Sequence, residues 1–140
     1  MPAKILIVDD EPDVLLLLRV NLEAAGYETV LAADGETALT RIDETAPDVV
    51  LLDIMMPVMD GWGVLRVLSG REAAPRVVVV SARSSDRDVV RALTSGALDF
   101  VTKPFDPEDL IAIVARAASS SMAELERHRN DVIERCGGVG

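Results

Sequence analysis

Acidic side chains follow two of the most apolar segments of this sequence, at the point where each segment ends. Asp9 and Asp10 come directly after residues 5–8, and Asp53 comes directly after residues 49–52. Crowded carboxylates hold protons more tightly unless a cation is bound among them. Because no histidine or cysteine lies nearby, a hard, oxygen-binding ion such as Mg²⁺ suits these ligands better than zinc does. The pattern therefore predicts a magnesium site, whereas a single isolated aspartate would more often cap a helix.

A hydroxyl group and an ammonium group follow two later segments in the same way. Ser81 comes after the apolar residues 77–80, and Lys103 comes after the mixed segment 97–102. Lys103 is one of only two lysines, against twelve arginines. A compact ammonium group approaches a phosphate or a carboxylate as a point charge. We therefore expect Lys103 to meet an anion near the acidic residues, whereas a serine at a strand end is usually just a turn residue.

The elements that must position these side chains alternate regularly along the chain. The runs 5–8, 49–52 and 77–80 are continuously apolar, which is typical of strands buried on both faces of a parallel sheet. Segment 29–32 is weaker, and segment 97–102 is mixed. Helical spacing of apolar residues predicts helices over 13–25, 35–44, 61–68, 85–94 and from residue 106 onward. The order predicts an α/β fold, an open parallel sheet with helices on both faces, whose ligands bind at the carboxyl ends of its strands.

Composition excludes several classes of protein. The chain has 140 residues and a net charge of −10, and residues 1–60 carry 13 acidic and three basic side chains, whereas residues 61–140 carry 11 of each. This distribution argues against direct nucleic-acid binding and favours a bound cation or a positively charged partner. The single cysteine, Cys136, forms no intrachain disulfide, so we expect a reducing, cytoplasmic location. No apolar run has the length of a membrane span of about 18 residues, so no membrane insertion is expected.

Motifs of the common nucleotide and hydrolase sites are absent from the sequence. It contains no GxGxxG motif and no GxxxxGK[ST] motif, which disfavours dinucleotide binding and P-loop NTPase activity. His128 is the only histidine, and it lies in the tail among charged neighbours. No Ser-His-Asp arrangement is therefore expected, and the neighbours of His128 predict a solvated helix face.

Four segments together resemble the receiver domain of two-component response regulators. They are residues 7–11, 51–61, 80–82 and 99–105. Each is weak alone, but the four occur in the right order and spacing on the predicted strands. The resemblance covers residues 3–118, and it implies a flavodoxin-like (βα)5 doubly wound fold with strand order 2-1-3-4-5.

The resemblance assigns roles to the acidic residues. Asp53 corresponds to the phosphoacceptor. Asp9 and Asp10 correspond to the acidic pair that holds Mg²⁺, for which Mn²⁺ would be a substitute. Asp53 itself and the backbone carbonyl of Met55 would complete the protein's share of the metal ligands.

The resemblance also assigns the residues that sense the phosphoryl group. Lys103 and the Ser81 hydroxyl would contact it, Ser81 and Phe100 would form the switch, and the Lys103–Pro104 peptide bond would be cis. Phe100 cannot make the hydrogen bond of a tyrosine, and Ser81 lacks the methyl group of the threonine often found there. We expect phosphorylation to survive these differences and the coupling between the two switch residues to be looser. The bulk of Met55 and Arg83 predicts a long-lived phosphate.

The implied function is that of a signalling domain and not of an enzyme, with self-catalysed phosphorylation and autodephosphorylation. Asp53 would accept a phosphoryl group from the phosphohistidine of a histidine kinase or a phosphotransfer protein. The surface of the fourth helix, fifth strand and fifth helix would then change to control a partner or an output domain, with homodimer formation on phosphorylation as a further expectation. Two alternatives stay open: an unphosphorylated scaffold for protein–protein interaction, and a Mg²⁺-dependent phosphatase or phosphotransferase of small molecules.

The sequence divides into a receiver domain at 1–118 and a C-terminal extension or linker at 119–140, whose Gly-rich end we expect to be disordered. Residues 107–136 are predicted to form one helix. Its apolar spacing indicates a dimerising coiled coil, a helix packed back on the domain, or a solvated linker. No segment is long enough for a DNA-binding domain, which leaves a stand-alone receiver or part of a longer protein. The residues of the candidate coiled-coil seam are Met122, Leu125, Arg129, Val132 and Cys136.

Overall fold

A computed structural model of the chain describes residues 2–56 and 59–137. Five strands form one parallel sheet in the order β2-β1-β3-β4-β5, which confirms the predicted fold class. The central strands β1, β3 and β4 are those with continuous apolar runs. The strands are β1 (Lys4–Val8), β2 (Glu28–Ala32), β3 (Val49–Leu52), β4 (Arg76–Ser81) and β5 (Asp99–Thr102).

Six helices are present within the described residues, and the first five each follow a strand. No helix in these two ranges is both long enough and apolar enough to cross a membrane. The helices are α1 (Pro12–Ala24), α2 (Gly35–Thr45), α3 (Gly61–Ser69), α4 (Asp86–Thr94), α5 (Pro107–Ser119) and α6 (Met122–Arg135).

The sheet has a hydrophobic core on each face. Apolar side chains of α2, α3 and α4 pack on one face, and those of α1 and α5 pack on the other. Strand β3 supplies both cores, because Val50 and Leu52 point to the first while Val49 and Leu51 point to the second. A cation–π contact also joins α3 to α4, where the Arg91 guanidinium carbon lies 3.9 Å from the centroid of the Trp62 ring.

The prediction of one helix over residues 107–136 is wrong, because the chain breaks between α5 and α6. Ser120 has an extended backbone, and the Ser121 hydroxyl caps α6 by accepting a hydrogen bond from the Glu124 amide at 3.1 Å. The Arg76 guanidinium donates to the carbonyl oxygens of Ala117 and Ser120, both at 2.7 Å. The last carbonyl groups of α5 therefore bond to a distant side chain instead of to a continuing helix.

Helix α6 folds back on the domain and packs against α4. Leu125 is 2% exposed and Ile133 is 9% exposed, while Met122, at the start of the predicted seam, is 45% exposed. The structure thus has the folded-back arrangement, in which Leu125 of the predicted seam is buried against its own domain and Met122 is not. Of the Gly-rich end, residues 138–140 lie outside the described residues.

The expectation of a solvated face at His128 is wrong. Its side chain is only 27% exposed, and its Nε2 atom lies 3.3 Å from Oδ1 of Asp99 on β5. The sequence neighbours of His128 are charged, but the helix turns this one side chain toward the sheet edge.

Candidate functional site

Three aspartates meet at the carboxyl ends of the neighbouring strands β1 and β3. Asp9 and Asp10 follow β1, and Asp53 follows β3. One carboxylate oxygen of each lies within 4.8 Å of the others. Asp9 is 2% exposed and Asp53 is 3% exposed, whereas Asp10 is exposed at the rim. The arrangement is a partly closed acidic cleft that opens to solvent on one side.

Backbone amides fix the two buried carboxylates. The amide of Glu11 donates to Oδ1 of Asp9 at 2.9 Å, and the amide of Met55 donates to Oδ1 of Asp53 at 3.1 Å. Both bonds span two residues, so the turn after each strand orients the side chain with which it begins. The other oxygen of each carboxylate is left to face Lys103.

Lys103, which directly follows β5, supplies the ammonium group of the site. Its Nζ atom lies 2.7 Å from Oδ2 of Asp9 and 3.5 Å from Oδ2 of Asp53. Burial works to lower the pKa of Lys103, but the hydrogen bond to Asp9 and the charges of Asp53, Asp9 and Glu11 outweigh it and raise this pKa. The amide of Lys103 donates to the carbonyl of Ser81 at 2.9 Å, and the Lys103–Pro104 bond is cis.

Asp53 is held in an environment that disfavours its charge. Burial raises the pKa of Asp53, and the nearby charge of Asp9 raises it further. The hydrogen bond from the Met55 amide and the charge of Lys103 oppose this rise without cancelling it. A bound cation would relieve both the burial penalty and the repulsion.

The donor set fits a hard divalent cation. All three clustered side chains are carboxylates, which are the preferred ligands of Mg²⁺, and the cluster contains no histidine or cysteine. The three aspartates predicted as metal ligands are therefore together in the structure. The Met55 side chain is 55% exposed at the rim of the cleft.

The two predicted switch residues lie on the neighbouring strands β4 and β5. Ser81 ends β4 and is fully buried, and its Oγ atom accepts a hydrogen bond from the amide of Arg83 at 3.0 Å. Phe100 lies on β5, half-buried against the core that contains α3 and α4. In this structure the Ser81 hydroxyl is thus engaged with its own loop.

A contact between Arg83 and Asp88 is a feature of the site's edge that the sequence analysis did not anticipate. The Arg83 Nε atom donates to Oδ1 of Asp88 at 3.0 Å, and Oδ2 of Asp88 accepts from the Ser85 hydroxyl at 2.7 Å. The Ser-x-x-Asp spacing at the start of α4 is the sequence signal for such a capping box. Asp88 therefore ties the loop after Ser81 to α4.

Replacing Asp88 by asparagine should destabilise the protein by about 1 kcal/mol at pH 7, the usual cost of a lost cap. The Ser85 hydrogen bond, with the charge of Arg83, lowers the pKa of Asp88. The carboxylate therefore stabilises the fold at every pH above the ordinary aspartate pKa of 3.8. This stabilisation is lost as the pH falls through the lowered pKa of Asp88 in the folded protein. Urea denaturation from pH 7 to pH 3 should show the two proteins converging in acid. Asp86→Asn, which removes an exposed charge from the same turn, should cost less, and an equal cost would contradict the role of Asp88.

Gly61 allows the start of α3 to approach the backbone of Asp53 and Ile54 closely. A Cβ atom at this position would lie 2.5 Å from the carbonyl oxygen of Asp53 and 2.7 Å from Cα of Ile54, so the backbone would have to shift. Gly61→Ala should therefore destabilise the protein by about 1–3 kcal/mol, the usual cost of overpacking, and should also impair any reaction at Asp53. Urea denaturation measures the first effect. At Gly70 the nearest atom to an added Cβ is 3.7 Å away, so Gly70→Ala is the control, and equal losses in both variants would disprove the steric argument.

Fold and site together define an α/β protein with carboxylates and a lysine at the carboxyl edge of a parallel sheet. A sequence profile described as response regulator receiver domain matches residues 5–115. The chain belongs to this family, as the resemblance implied.

Known proteins are similar to this chain in sequence and in structure. The transcriptional regulatory protein KdpE of Mycobacterium tuberculosis is 44% identical over 125 residues, which cover 88% of this chain and 55% of KdpE. The alkaline phosphatase synthesis transcriptional regulatory protein PhoP of Bacillus subtilis is 37% identical over 136 residues, which cover 96% of this chain and 57% of PhoP. The receiver domain of the Francisella response regulator 1452 has a TM-score of 0.79 at 33% identity and covers 83% of this chain and 96% of its own. The chain thus spans about half the length of the curated relatives it matches.

Proposed function

We propose that this receiver domain accepts a phosphoryl group on Asp53 in a Mg²⁺-dependent reaction, and that the phosphoryl group comes from a phosphohistidine of a histidine kinase or a phosphotransfer protein. One observation carries the proposal. The buried carboxylate of Asp53 stands among two further carboxylates, 3.5 Å from the Lys103 ammonium group. The cleft thereby combines a nucleophile, carboxylate ligands for Mg²⁺ and an ammonium group for a phosphoryl oxygen.

Each residue of the cleft has a separate role in the proposed phosphoryl transfer. A carboxylate oxygen of Asp53 attacks phosphorus, the new O–P bond forms as the P–N bond breaks, and the electron pair goes to the imidazole nitrogen of the donor. The hydrogen bond from the Met55 amide orients the nucleophile. Lys103, now paired with Asp9, neutralises a phosphoryl oxygen. Mg²⁺ held by Asp9, Asp10, Asp53 and the Met55 carbonyl would supply further positive charge to the phosphoryl oxygens.

Switching would follow from the new charge on Asp53. The Ser81 hydroxyl would leave the Arg83 amide to donate to a phosphoryl oxygen, and Phe100 would turn toward the space that Ser81 vacates. Since Phe100 packs in the same core as α4, its rotation would alter the surface of α4, β5 and α5. Hydrolysis of the acyl phosphate would return the domain to its unphosphorylated state. The exposed side chains of Met55 and Arg83 would slow the approach of water.

The proposed role is that of a cytoplasmic signalling domain and not of an enzyme that turns over a separate substrate. An output domain or partner protein would read the changed surface, and a homodimer is one form of that output. KdpE and PhoP are both named as transcriptional regulatory proteins, and the matched residues cover only 55% and 57% of their lengths, which supports this role. The net charge of −10 supports contacts to protein and not to DNA by this domain itself.

Intact mass spectrometry tests the proposal. Incubation with acetyl phosphate and MgCl₂ should add one phosphoryl group to the protein, and EDTA should prevent this. Borohydride reduction of the acyl phosphate followed by peptide mapping should place the modification at Asp53. A modification elsewhere would overturn the assignment, and no modification by acetyl phosphate or by a phosphorylated donor would favour the scaffold alternative.

A further inference from the structure

Helix α6 covers the face formed by α4 and β5, which we call the α4–β5 face (residues 86–94 and 99–102). After the break at Ser120, α6 contacts Asp99 of β5 through His128 and packs against α4. Ile133 and Val132 join the core that lies between α4 and the sheet. A segment of this chain therefore lies on part of the surface that the proposed function assigns to output.

Polar contacts hold the middle of α6 to the sheet edge. Asp99, which begins β5, pairs with Arg116 of α5, and His128 of α6 lies 3.3 Å from both Asp99 Oδ1 and Arg116 Nη2. At the end of α6, burial raises the pKa of the Cys136 thiol, and the Asp86 carboxylate at the start of α4 raises it further. The helix thus contacts both β5 and α4.

The apolar contact of α6 is small. Leu125 and Ile133 are the only buried side chains of α6, all of whose residues the structure describes, and most of its other side chains are exposed. A helix with so few buried apolar contacts belongs to the least stable part of a fold and opens before the core does. Helix α6 is therefore held weakly enough to be displaced.

The contact of α6 is connected to the predicted switch. Phe100 and Val89 pack in the same core as Val132 and Ile133 of α6. A rotation of Phe100 or a shift of α4 would change the surface on which α6 rests. Asp99, the polar partner of α6, is the residue directly before Phe100.

We propose that α6 is an intramolecular occupant of the α4–β5 face, which it hides from partners until phosphorylation of Asp53 weakens its docking. The displacement step rests on the proposed function, whereas the occupancy of the face does not. Phosphorylation then acts twice, because it reshapes the face and uncovers it.

A peptide added in trans tests the occupancy. Leu125→Asp/Ile133→Asp places two charges on the buried side of α6 and should detach it while leaving the face intact. A fluorescein-labelled peptide of residues 121–137 should then bind this variant at least tenfold more tightly than it binds the wild type, by fluorescence anisotropy. The matched control is Ala123→Asp/Asn130→Asp, which adds the same charge at exposed positions and should behave as the wild type. Equal binding to all three proteins, or binding to none, would overturn the occupancy.

Beryllofluoride, a mimic of the phosphoryl group, tests the displacement. With Mg²⁺ it should weaken binding of the peptide to the detached variant at least tenfold, and it should not do so when Asp53→Asn is added. Fluorine NMR reports whether beryllofluoride is bound. Bound beryllofluoride with unchanged peptide affinity would disprove displacement. Failure to bind beryllofluoride, together with no phosphorylation of the wild type, would count against the proposed function and leave the occupancy result valid.

A disulfide provides a second test that does not depend on detaching α6. Asp86→Cys places a thiol beside the native Cys136, and mild oxidation should link α4 to α6 within one molecule. Hydrogen exchange of the α6 amides should rise with beryllofluoride in the reduced protein and stay constant in the oxidised one. Asp86→Cys/Cys136→Ser is the control and should respond in both conditions. Failure of the thiols to link, or equal exchange in the two redox states, would contradict the docked position of α6 or its release.

Discussion

Replacing Asp53 by asparagine should abolish the uptake of a phosphoryl group from acetyl phosphate. The amide has nearly the shape of the carboxylate and its oxygen still accepts the hydrogen bond from the Met55 amide, but it carries no negative charge and is a much weaker nucleophile than a carboxylate oxygen. Intact mass after incubation with MgCl₂ should therefore show no added phosphoryl group. Asp13→Asn, on the exposed side of α1, is the control and should be phosphorylated like the wild type. Continued single phosphorylation of the asparagine variant would move the acceptor to another residue.

The same substitution should make the protein more stable in EDTA at neutral pH. Because burial raises the pKa of Asp53, the folded state disfavours its ionised form. The wild type is therefore less stable than Asp53→Asn at pH 7, and the gap should close as the pH falls below the ordinary aspartate value of 3.8, where the carboxyl is protonated in both states. Thermal unfolding across this range measures the effect. A wild type that is the more stable protein at pH 7 without metal would contradict it.

Replacing Lys103 by methionine should slow phosphorylation by acetyl phosphate about 10²–10³-fold, the usual cost of removing one fixed group that stabilises a developing charge. Methionine keeps the length of the side chain and loses the ammonium group that lies between Asp9 and Asp53. The rate is measured from the increase of the phosphorylated mass with time.

The chain offers a matched control for this experiment. Lys4, its only other lysine, begins β1 at the end of the sheet opposite the site and donates to the carbonyl of Thr45 at 3.0 Å. Lys4→Met should phosphorylate at the wild-type rate. Lys103→Arg should recover only part of the rate, since a planar guanidinium does not replace a point charge. A loss of less than tenfold in Lys103→Met would show that the ammonium group has no major role.

Burial explains which strands were easy to predict. Strands β1, β3 and β4 lie inside the sheet, and both faces are covered by helices, so nearly every side chain is apolar. Strands β2 and β5 form the edges, where the demand for apolar residues is weaker. Their sequences are correspondingly mixed, and the start of β5 was predicted two residues too early.

The break before α6 was missed because a tertiary contact enforces it. No proline or glycine interrupts residues 108–136, so the local sequence permits one long helix. The bonds from Arg76 to the carbonyl groups of Ala117 and Ser120 join residues more than 40 positions apart, and periodicity does not show them. The Ser121-x-x-Glu124 spacing was the one local sign of a new helix start.

At the candidate site, the sequence predicted which side chains lie near one another but not which of them pair. Parallel topology places Asp9, Asp53 and Lys103 at one edge of the sheet. Lys103 bonds to Asp9 and lies farther from Asp53, but the two distances differ by less than 1 Å. The spacing of residues along the chain does not encode so small a difference. The engagement of the Ser81 hydroxyl by the Arg83 amide depends likewise on the local turn.

The stacking of Arg91 on Trp62 makes the tryptophan an intrinsic fluorescence probe of the contact between α3 and α4. Trp62 is the only tryptophan, so all indole emission comes from one place on α3. The guanidinium that lies 3.9 Å above the ring belongs to α4, and its distance from the indole changes whenever the two helices move apart. The colour and intensity of that emission therefore report the position of α4, in real time and without any attached dye.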